Sequence, residues 1–370
     1  MKKDAGRIFL DYEKSALTSR PKKGIIIIWN NKPILRAFLI YTTEIFMITL
    51  SNPPTKESFP ALFEKGCVAA LGNFDGVHRG HQSLIRTAVR EAEREGLFSC
   101  VYTFRTHPVS FLGRTPTLIT NNDEKEEFLQ TLGVDIFFPD DFSAVRDLSC
   151  AEFCEKILIR ELNCKIAVCG SNFSFGKDRA GDCETLKREM AKHGARVLIA
   201  ENVLYRDRDG KEDLIHSTVI RRFIAEGDME SARALLGRPF SIYYPVVHGR
   251  HLGTTIGIPT INQAFEGTKL KPKNGVYACI CTIDGEKYIG LSDVGTKPTV
   301  TANEKDAPIL CETHILDYHG DLYGHSVKIE FYTRLRDEKK FSSLEELVAE
   351  IRRNIGQAKH YFEKEGGLAK

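Results

Sequence analysis

Between Cys67 and Ala200 the apolar residues fall into two alternating rhythms. Val68 to Leu71 is a short continuous run, and Leu84, Ile85, Ala88, Val89 and Ala92 then mark one face of a helix that Gly96 stops. Phe98 to Phe104 reads as the next strand, and a helix around Glu124 to Leu132 ends at Gly133. Ser149 and Glu152 have the spacing of a capping box ahead of Phe153, Ile157 and Leu158. Lys165 to Cys169 is a strand that runs into the loop GSNFSFGKDRAGD, Asp182 caps a helix through Met190, and Arg196 to Ala200 is a further strand. Strand alternating with helix predicts βαβ units on an open parallel sheet, an α/β Rossmann-like architecture.

The rhythm changes after HSTVIRRFIAEGD, where Ser217 and Thr218 stand at a helix start with Arg221 one turn on, and Asp228 caps a short helix ending at Gly237. Val276 to Ile283 and Val327 to Tyr332 have strand length, and Asp284-Gly285 is a strong hairpin signal. Helical patterning returns only near the end, with Ser342 and Glu345 as a capping box before Leu344, Leu347, Val348 and Ile351. About six short strands and one terminal helix predict a small β-barrel. The expected division is an N-terminal extension over 1–46, an α/β domain over 47–236 and a barrel domain over 237–370. The extension has a basic start and a run Ile25 to Trp29 without clear period, whereas Met47 opens MITLSNPP, so the native product is expected to begin at Met47.

Composition narrows the partners. Fifty-two basic residues against fifty acidic ones give a formal charge of +2, which offers no electrostatic case for nucleic acid or a membrane surface, so small molecules are the expected partners and the oligomeric state stays open. The ten cysteines include no C-x-x-C pair and read as reduced, mostly buried thiols of a cytoplasmic protein without a structural metal. Gly24 to Leu50 is apolar in places, but Asn30, Asn31, Lys32, Pro33, Arg36 and Glu44 interrupt it, so neither a secretory signal nor a membrane span is expected.

The candidate chemistry begins at Val68 to Ser83, VAALGNFDGVHRGHQS. Glycines 72, 76 and 80 let the backbone approach a ligand closely, and the helix that follows opens with unpaired N–H groups where polyphosphates bind. His78 and His81 at its head can donate hydrogen bonds to the oxygens that gain charge as pyrophosphate leaves; capping or packing is the bland alternative, and for two histidines in H-x-G-H the functional reading is the stronger. Ser217, Thr218 and Arg221 form a second candidate phosphate clamp, and Asn172 a third point, although each is also ordinary helix or turn punctuation. All would gather at the carboxyl edge of the sheet.

These motifs, LGNFDGVHRGHQ, GSNFSFGKDRAGD and HSTVIR, resemble the adenylyltransferase module of bacterial bifunctional FAD synthetases. The resemblance implies transfer of AMP from ATP to FMN, with His78 and His81 on the phosphates and Gly72, Phe74, Asp75, Gly76, Asn172, Ser217, Thr218 and Arg221 binding ATP or its phosphates. Two departures stand out. His216 replaces the family's usual serine, and TFRTHP carries Thr106 for a proline ahead of His107 and Pro108.

In GRPFSIYYPVVHGRHLGTTIGIPTINQ, Gly249, Gly253 and Gly257 keep the backbone close to a ligand, and Thr260 and Asn262, two apart on an extended segment, point the same way as oxygen ligands for Mg²⁺ with phosphate; a plain β-turn fits the spacing equally. This stretch, with GLSDVGTKPTV, LCETHILDYHGDLYG and RLRDEKKF, is similar to the riboflavin kinase module of the same family. By that resemblance the glycine loop binds ATP, Thr260 and Asn262 hold Mg²⁺, and Glu312 is the general base that takes the proton of riboflavin's terminal hydroxyl. A glutamate on a strand surface is more often a solvated or lysine-paired side chain, so this role rests on the resemblance. Lys297 and Asp293 replace a usual arginine and asparagine. The implied activity is synthesis of FMN from riboflavin and of FAD from FMN, with ATP as co-substrate; retention of one activity alone, or a non-catalytic flavin or nucleotide sensor, are the rival readings.

Overall fold

The computed structural model describes residues 25–28 and 47–366, except 114, 208–209, 250–252, 254–255, 266 and 297–308. Lys297, and residues 1–24 and 29–46 of the N-terminal extension, lie outside the described residues.

Seven parallel strands form the first sheet: β1 (Ile25–Ile28), β2 (Met47–Leu50), β3 (Cys67–Leu71), β4 (Phe98–Phe104), β5 (Ile136–Asp140), β6 (Cys164–Cys169) and β7 (Arg196–Ile199), in the spatial order β1-β2-β5-β4-β3-β6-β7. From β3 the chain runs outward through β4 and β5 on one side and then, after β5, crosses to β6 and β7 on the other, so β3 lies at a switch point, where ligands bind at the carboxyl ends of the strands. Side chains alternate cleanly across the sheet. Cys67, Ala69, Leu71, Cys100 and Tyr102 belong to one core layer, and Val68, Ala70, Val101, Ile166 and Val168 to the other.

The helices follow their sequence signals. After α1 (Pro60–Lys65), α2 (Arg79–Glu95) ends on left-handed Gly96, and α3 (Asn122–Thr131) opens with a reciprocal capping box of Asn121 and Glu124. A short α4 (Phe142–Val145) precedes α5 (Cys150–Glu152), whose predicted Ser149–Glu152 box is present and which continues as a π-helix over Phe153–Glu161. Asp182 caps α6 (Cys183–Ala191). Strand β5 has no counterpart in the sequence reading, because Pro139 argues against a strand interior. Its pairing explains the exception: β4 accompanies β5 to Asp140, but β2 pairs only as far as Phe137, so Pro139 sits where one flank has no ladder to complete. The small hairpin β8 (Leu204–Arg206) and β9 (Glu212–Leu214) is likewise additional.

Helices α7 (Ser217–Glu226) and α8 (Met229–Leu236) lead into the second sheet, which contains β10 (Phe240–Pro245), β11 (Ile261–Ala264), β12 (Gly275–Ile283), β13 (Glu286–Thr296), β14 (Ile309–Ile315) and β15 (Ser326–Arg336). They are ordered β10-β15-β12-β13-β14-β11, all neighbours antiparallel, and an isolated bridge from Val247 to Asn262 nearly closes the barrel. The Asp284-Gly285 turn takes the two positive φ angles of its hairpin type. The terminal helix α9 (Leu344–Lys364) lays Ala358 and Phe362 on Ala278 and Ile280 of β12. Its cap is displaced by one residue from the expected Ser342–Glu345 box: Ser343 is the N-cap, accepting from the Glu346 N–H, while Ser342 donates to the Glu346 carboxylate.

Candidate active sites

The turn after β3 is held in an improbable shape. Phe74 (φ 49°) and Val77 (φ 36°) are left-handed residues with side chains, a conformation costing on the order of 1–3 kcal/mol that persists only where the surroundings impose it. Both side chains are fully buried, the Gly76 N–H donates to Thr120 Oγ1 at 3.0 Å, and Arg238 Nη2 donates to the Gly76 carbonyl at 2.9 Å. Gln82 Nε2 donates to the carbonyls of both Val77 and Leu236.

That turn sets the two histidines at the mouth of α2. His78 is the N-cap, its Nδ1 accepting the His81 N–H at 3.3 Å, so the bland capping role expected of a lone histidine is present. An accepting Nδ1 leaves the proton of the neutral ring on Nε2. The His81 ring stacks on it at 3.5 Å between centroids and meets the edge of Phe74, while His81 Nδ1 is buried with no hydrogen-bond partner. Burial, reinforced by His216 and Arg238, pushes His78 down to about 3, and burial with the His78 neighbour holds His81 well below the usual histidine range. At neutral pH both are uncharged donors.

Asp75 organises the next layer. Its Oδ1 accepts from the N–H groups of Ile119 (2.9 Å) and Thr120 (3.2 Å), and its Oδ2 pairs with Arg221 Nη2 at 2.6 Å. Arg221 Nε also donates to the Thr117 carbonyl, and Ser217 Oγ to the Asp75 carbonyl at 2.9 Å. Gly72, Phe74, Asp75, His78, His81, Asn172, Ser217, Thr218 and Arg221 line one cleft of about 860 Å³, whereas Gly76 shapes the turn from outside it. His216, the N-cap of α7 without a side-chain capping bond, lines it too.

Several lining groups escape the sequence reading. The aromatic wall of Tyr102, Phe104, Phe111, Phe142, Phe173 and Phe175 comes from six positions that periodicity assigns to core or loop. His107 holds its ring by accepting the Val109 N–H on Nδ1. Behind the turn, Lys125 Nζ donates to the Asn73 carbonyl at 3.1 Å, and burial pushes the ammonium down to about 8. An H-x-G-H motif is contiguous and so legible; these residues converge only through the sheet.

The second constellation lies on the barrel. Asn262 faces Glu312 across β11 and β14, and Glu312 faces Asp293 across β14 and β13, so three polar side chains form one row on one face of the sheet. Asn262 is 5% exposed, and among the described residues its Oδ1 has no hydrogen-bond partner. A Cβ on Gly249 would lie 2.2 Å from Asn262 Nδ2, and one on Gly253 would lie 2.2 Å from the Ile258 carbonyl and 3.4 Å from Thr260 Oγ1. Only glycine at 249 and 253 leaves room for Asn262 and for the Ile258 carbonyl and Thr260. His314 Nδ1 is 2.8 Å from the Pro259 carbonyl and ties the approach to β11. A buried amide oxygen without a partner among the described residues suits a hard cation with oxygen ligands, and Thr260 two residues earlier carries a hydroxyl; the two fit Mg²⁺, and among the described residues no cluster of histidine, cysteine or acidic groups competes as a metal site.

Comparison with known proteins separates the same two halves. A family model described as FAD synthetase matches residues 61–214, and one described as riboflavin kinase matches residues 236–362. The chain is 36% identical to the bifunctional riboflavin kinase/FMN adenylyltransferase of Bacillus subtilis over 299 residues, 80% of this chain and 92% of that protein. Its counterpart from Escherichia coli K12 is 34% identical over 306 residues, 81% of this chain and 94% of that protein. A crystal structure from Streptococcus pneumoniae titled as a macrolide-efflux protein superposes with a TM-score of 0.70 at 34% identity, covering 79% of this chain and 93% of that one. Among the described residues no helix is long and apolar enough to cross a membrane.

Proposed function

The chain belongs to the bifunctional riboflavin kinase/FMN adenylyltransferase family, and from that premise we propose that it makes FAD in two steps, phosphorylating riboflavin on the barrel and adenylylating FMN on the parallel sheet. The observation that carries the reading is the presence on one chain of two separate polar constellations. One is the neutral histidine pair over a large aromatic-walled cleft, and the other is the Asn262–Glu312 row, with Gly249 packed against Asn262.

On the barrel, the terminal hydroxyl of riboflavin attacks the γ-phosphorus of ATP, the bond to ADP breaks, and the Glu312 carboxylate takes the hydroxyl proton. Gly249, Gly253 and Gly257 bring backbone against the phosphates, and Thr260 and Asn262 hold Mg²⁺. When bound, the ion neutralises charge on the phosphate oxygens. On the sheet, an FMN phosphate oxygen attacks the α-phosphorus of a second ATP and pyrophosphate leaves. His78 and His81 donate to oxygens that gain charge in that step, from positions fixed before substrate arrives. The N-terminus of α7, with Ser217 and Thr218, and the loop residue Asn172 bind further phosphate oxygens, and Gly72 leaves room for them. Asp75 and Arg221 hold the frame through their ion pair, and Phe74 props His81. The aromatic wall suits a flat ring system such as the flavin.

The test is incubation with riboflavin and Mg-ATP followed by chromatography of the flavins. The full chain forms FMN and then FAD, and a chelator stops both. Glu312→Gln lowers FMN formation by about 10²–10⁴-fold, the usual worth of a general base, while added FMN still becomes FAD. His81→Ala stops at FMN. Formation of neither flavin by the full chain overturns the reading.

A further inference from the structure

Residues 117–120 run as a strap between the two halves of the molecule. On one side the Leu118 N–H donates to the Thr268 carbonyl at 2.7 Å, and the Leu270 N–H donates to the Leu118 carbonyl at 2.7 Å, a parallel bridge from Leu118 to Lys269 in the barrel domain. On the other side the same segment holds the adenylyl site: Ile119 and Thr120 donate to Asp75, Thr120 Oγ1 accepts from Gly76, and the Thr117 carbonyl accepts from Arg221. Each residue of the strap therefore has a partner on one side or the other, and the backbone that fixes Asp75 is the backbone that docks on the barrel.

One ion pair locks the strap in register. Lys269 Nζ reaches both oxygens of Glu124, at 2.6 and 2.5 Å, with side chains only 3% and 12% exposed. Glu124 Oε2 also accepts the Asn121 N–H at 2.9 Å, closing the capping box of α3 at the residue that follows Thr120. Lys269 lies in addition 4.9 Å from the Phe240 ring centroid, at the first strand of the barrel. A buried lysine and glutamate lose much in desolvation, and a pair of this kind is weak evidence for stability; its better-attested use is to specify one register.

We propose that Lys269, a barrel residue outside both candidate catalytic constellations, is a positioning residue for adenylyl transfer: through Glu124 and the 117–120 strap it holds Asp75, Arg221 and the His78 turn in their working geometry. The inference rests on the adenylyltransferase reading given above. It makes FAD formation depend on barrel contacts, whereas FMN formation needs nothing from the strap.

The full-length chain tests this with the two steps assayed apart, riboflavin to FMN and added FMN to FAD, each resolved into kcat and KM. Lys269→Met lowers kcat of the FAD step by about tenfold or more, the scale of a small misplacement of catalytic groups, and leaves the FMN step within about twofold. Lys269→Arg, which can keep both hydrogen bonds to Glu124, restores most of the loss. Should Lys269→Met not fold, Glu124→Gln gives the same comparison with the lysine in place. An unchanged FAD step, or parallel loss of both steps together with a lowered melting temperature, overturns the proposal. Absence of FAD formation by the unsubstituted chain is a different result and strikes the adenylyltransferase reading itself.

Discussion

His78 both caps α2, through Nδ1, and lines the cleft, with the proton of its neutral ring left on Nε2. Burial makes this possible by keeping the ring neutral, and it leaves a signature in stability. The folded ring titrates at about 3, the unfolded one near 6.5, so between those values the unfolded chain binds the extra proton. Stability contributed by the neutral ring is complete above pH 6.5 and declines as pH falls through the window, by up to about 1.4 kcal/mol per pH unit. Urea melts of the native chain and of His78→Gln between pH 7 and 4.5 are expected to show the variant with the shallower pH slope; parallel curves would contradict the assignment. Glu312 belongs to the same scale. Its neighbours are set by the barrel, which places Asn262 and Asp293 opposite it on the two flanking strands.

At the scale of elements, Ser149–Glu152, Asp182 and Asp228 were legible as helix starts, and each caps through a neighbour three residues away. The Asn121–Glu124 box of α3 is equally local but opens that helix two residues ahead of Glu124, where the apolar pattern places its start. The shift from Ser342 to Ser343 occurs where two serines and two glutamates offer overlapping boxes. Helix α7 is the exception of another kind, since its N-cap His216 makes no capping bond. Serine at an N-cap is worth about 0.5–1 kcal/mol over a non-capping residue. His216→Ser is accordingly expected to raise the melting temperature, measured by circular dichroism, and no rise would show that the α7 N-terminus is already satisfied by other groups.

The whole molecule is divided less simply than its sequence. Ile220 and Ile224 of α7 and Met229, Ala232, Leu235 and Leu236 of α8 share a continuous core with Phe240, Ile242, Tyr277, Ile329 and Phe331 of the barrel, and Ile119 and Ile215 join them. Yet the N-terminal end of α7 lines the adenylyl cleft. These helices thus bury their apolar faces on one domain and present their polar ends to the other. A barrel fragment beginning at residue 216 is expected to melt at a higher temperature than one beginning at 237, because the longer piece keeps that apolar face covered; equal melting would show that α7 and α8 add nothing to the barrel core. The Lys269–Glu124 pair and the Arg238 contacts to the His78 turn cross the same boundary, so both domains share in fixing the adenylyl site.

By itself the sequence determined the two architectures, the order of most elements and the contiguous motifs, because hydrophobic period, local caps and glycine-bearing turns act over a few residues. It also singled out His78, His81, Thr260 and Asn262 as candidates for chemistry. Only the tertiary structure decided what closes around them. Strand β5 tolerates Pro139 because one neighbour ends early, the aromatic wall forms because the sheet gathers six distant rings, and Arg221 is paired with Asp75 rather than free in the cleft. Lys269, Glu124 and Arg238 are ordinary charged residues in the sequence; in the fold Lys269 is buried and Glu124 and Arg238 are half-buried where the two halves meet. Desolvation makes such charges costly unless partners arrive from elsewhere in the chain, and those partners are separated by more than a hundred residues, beyond the reach of any local pattern.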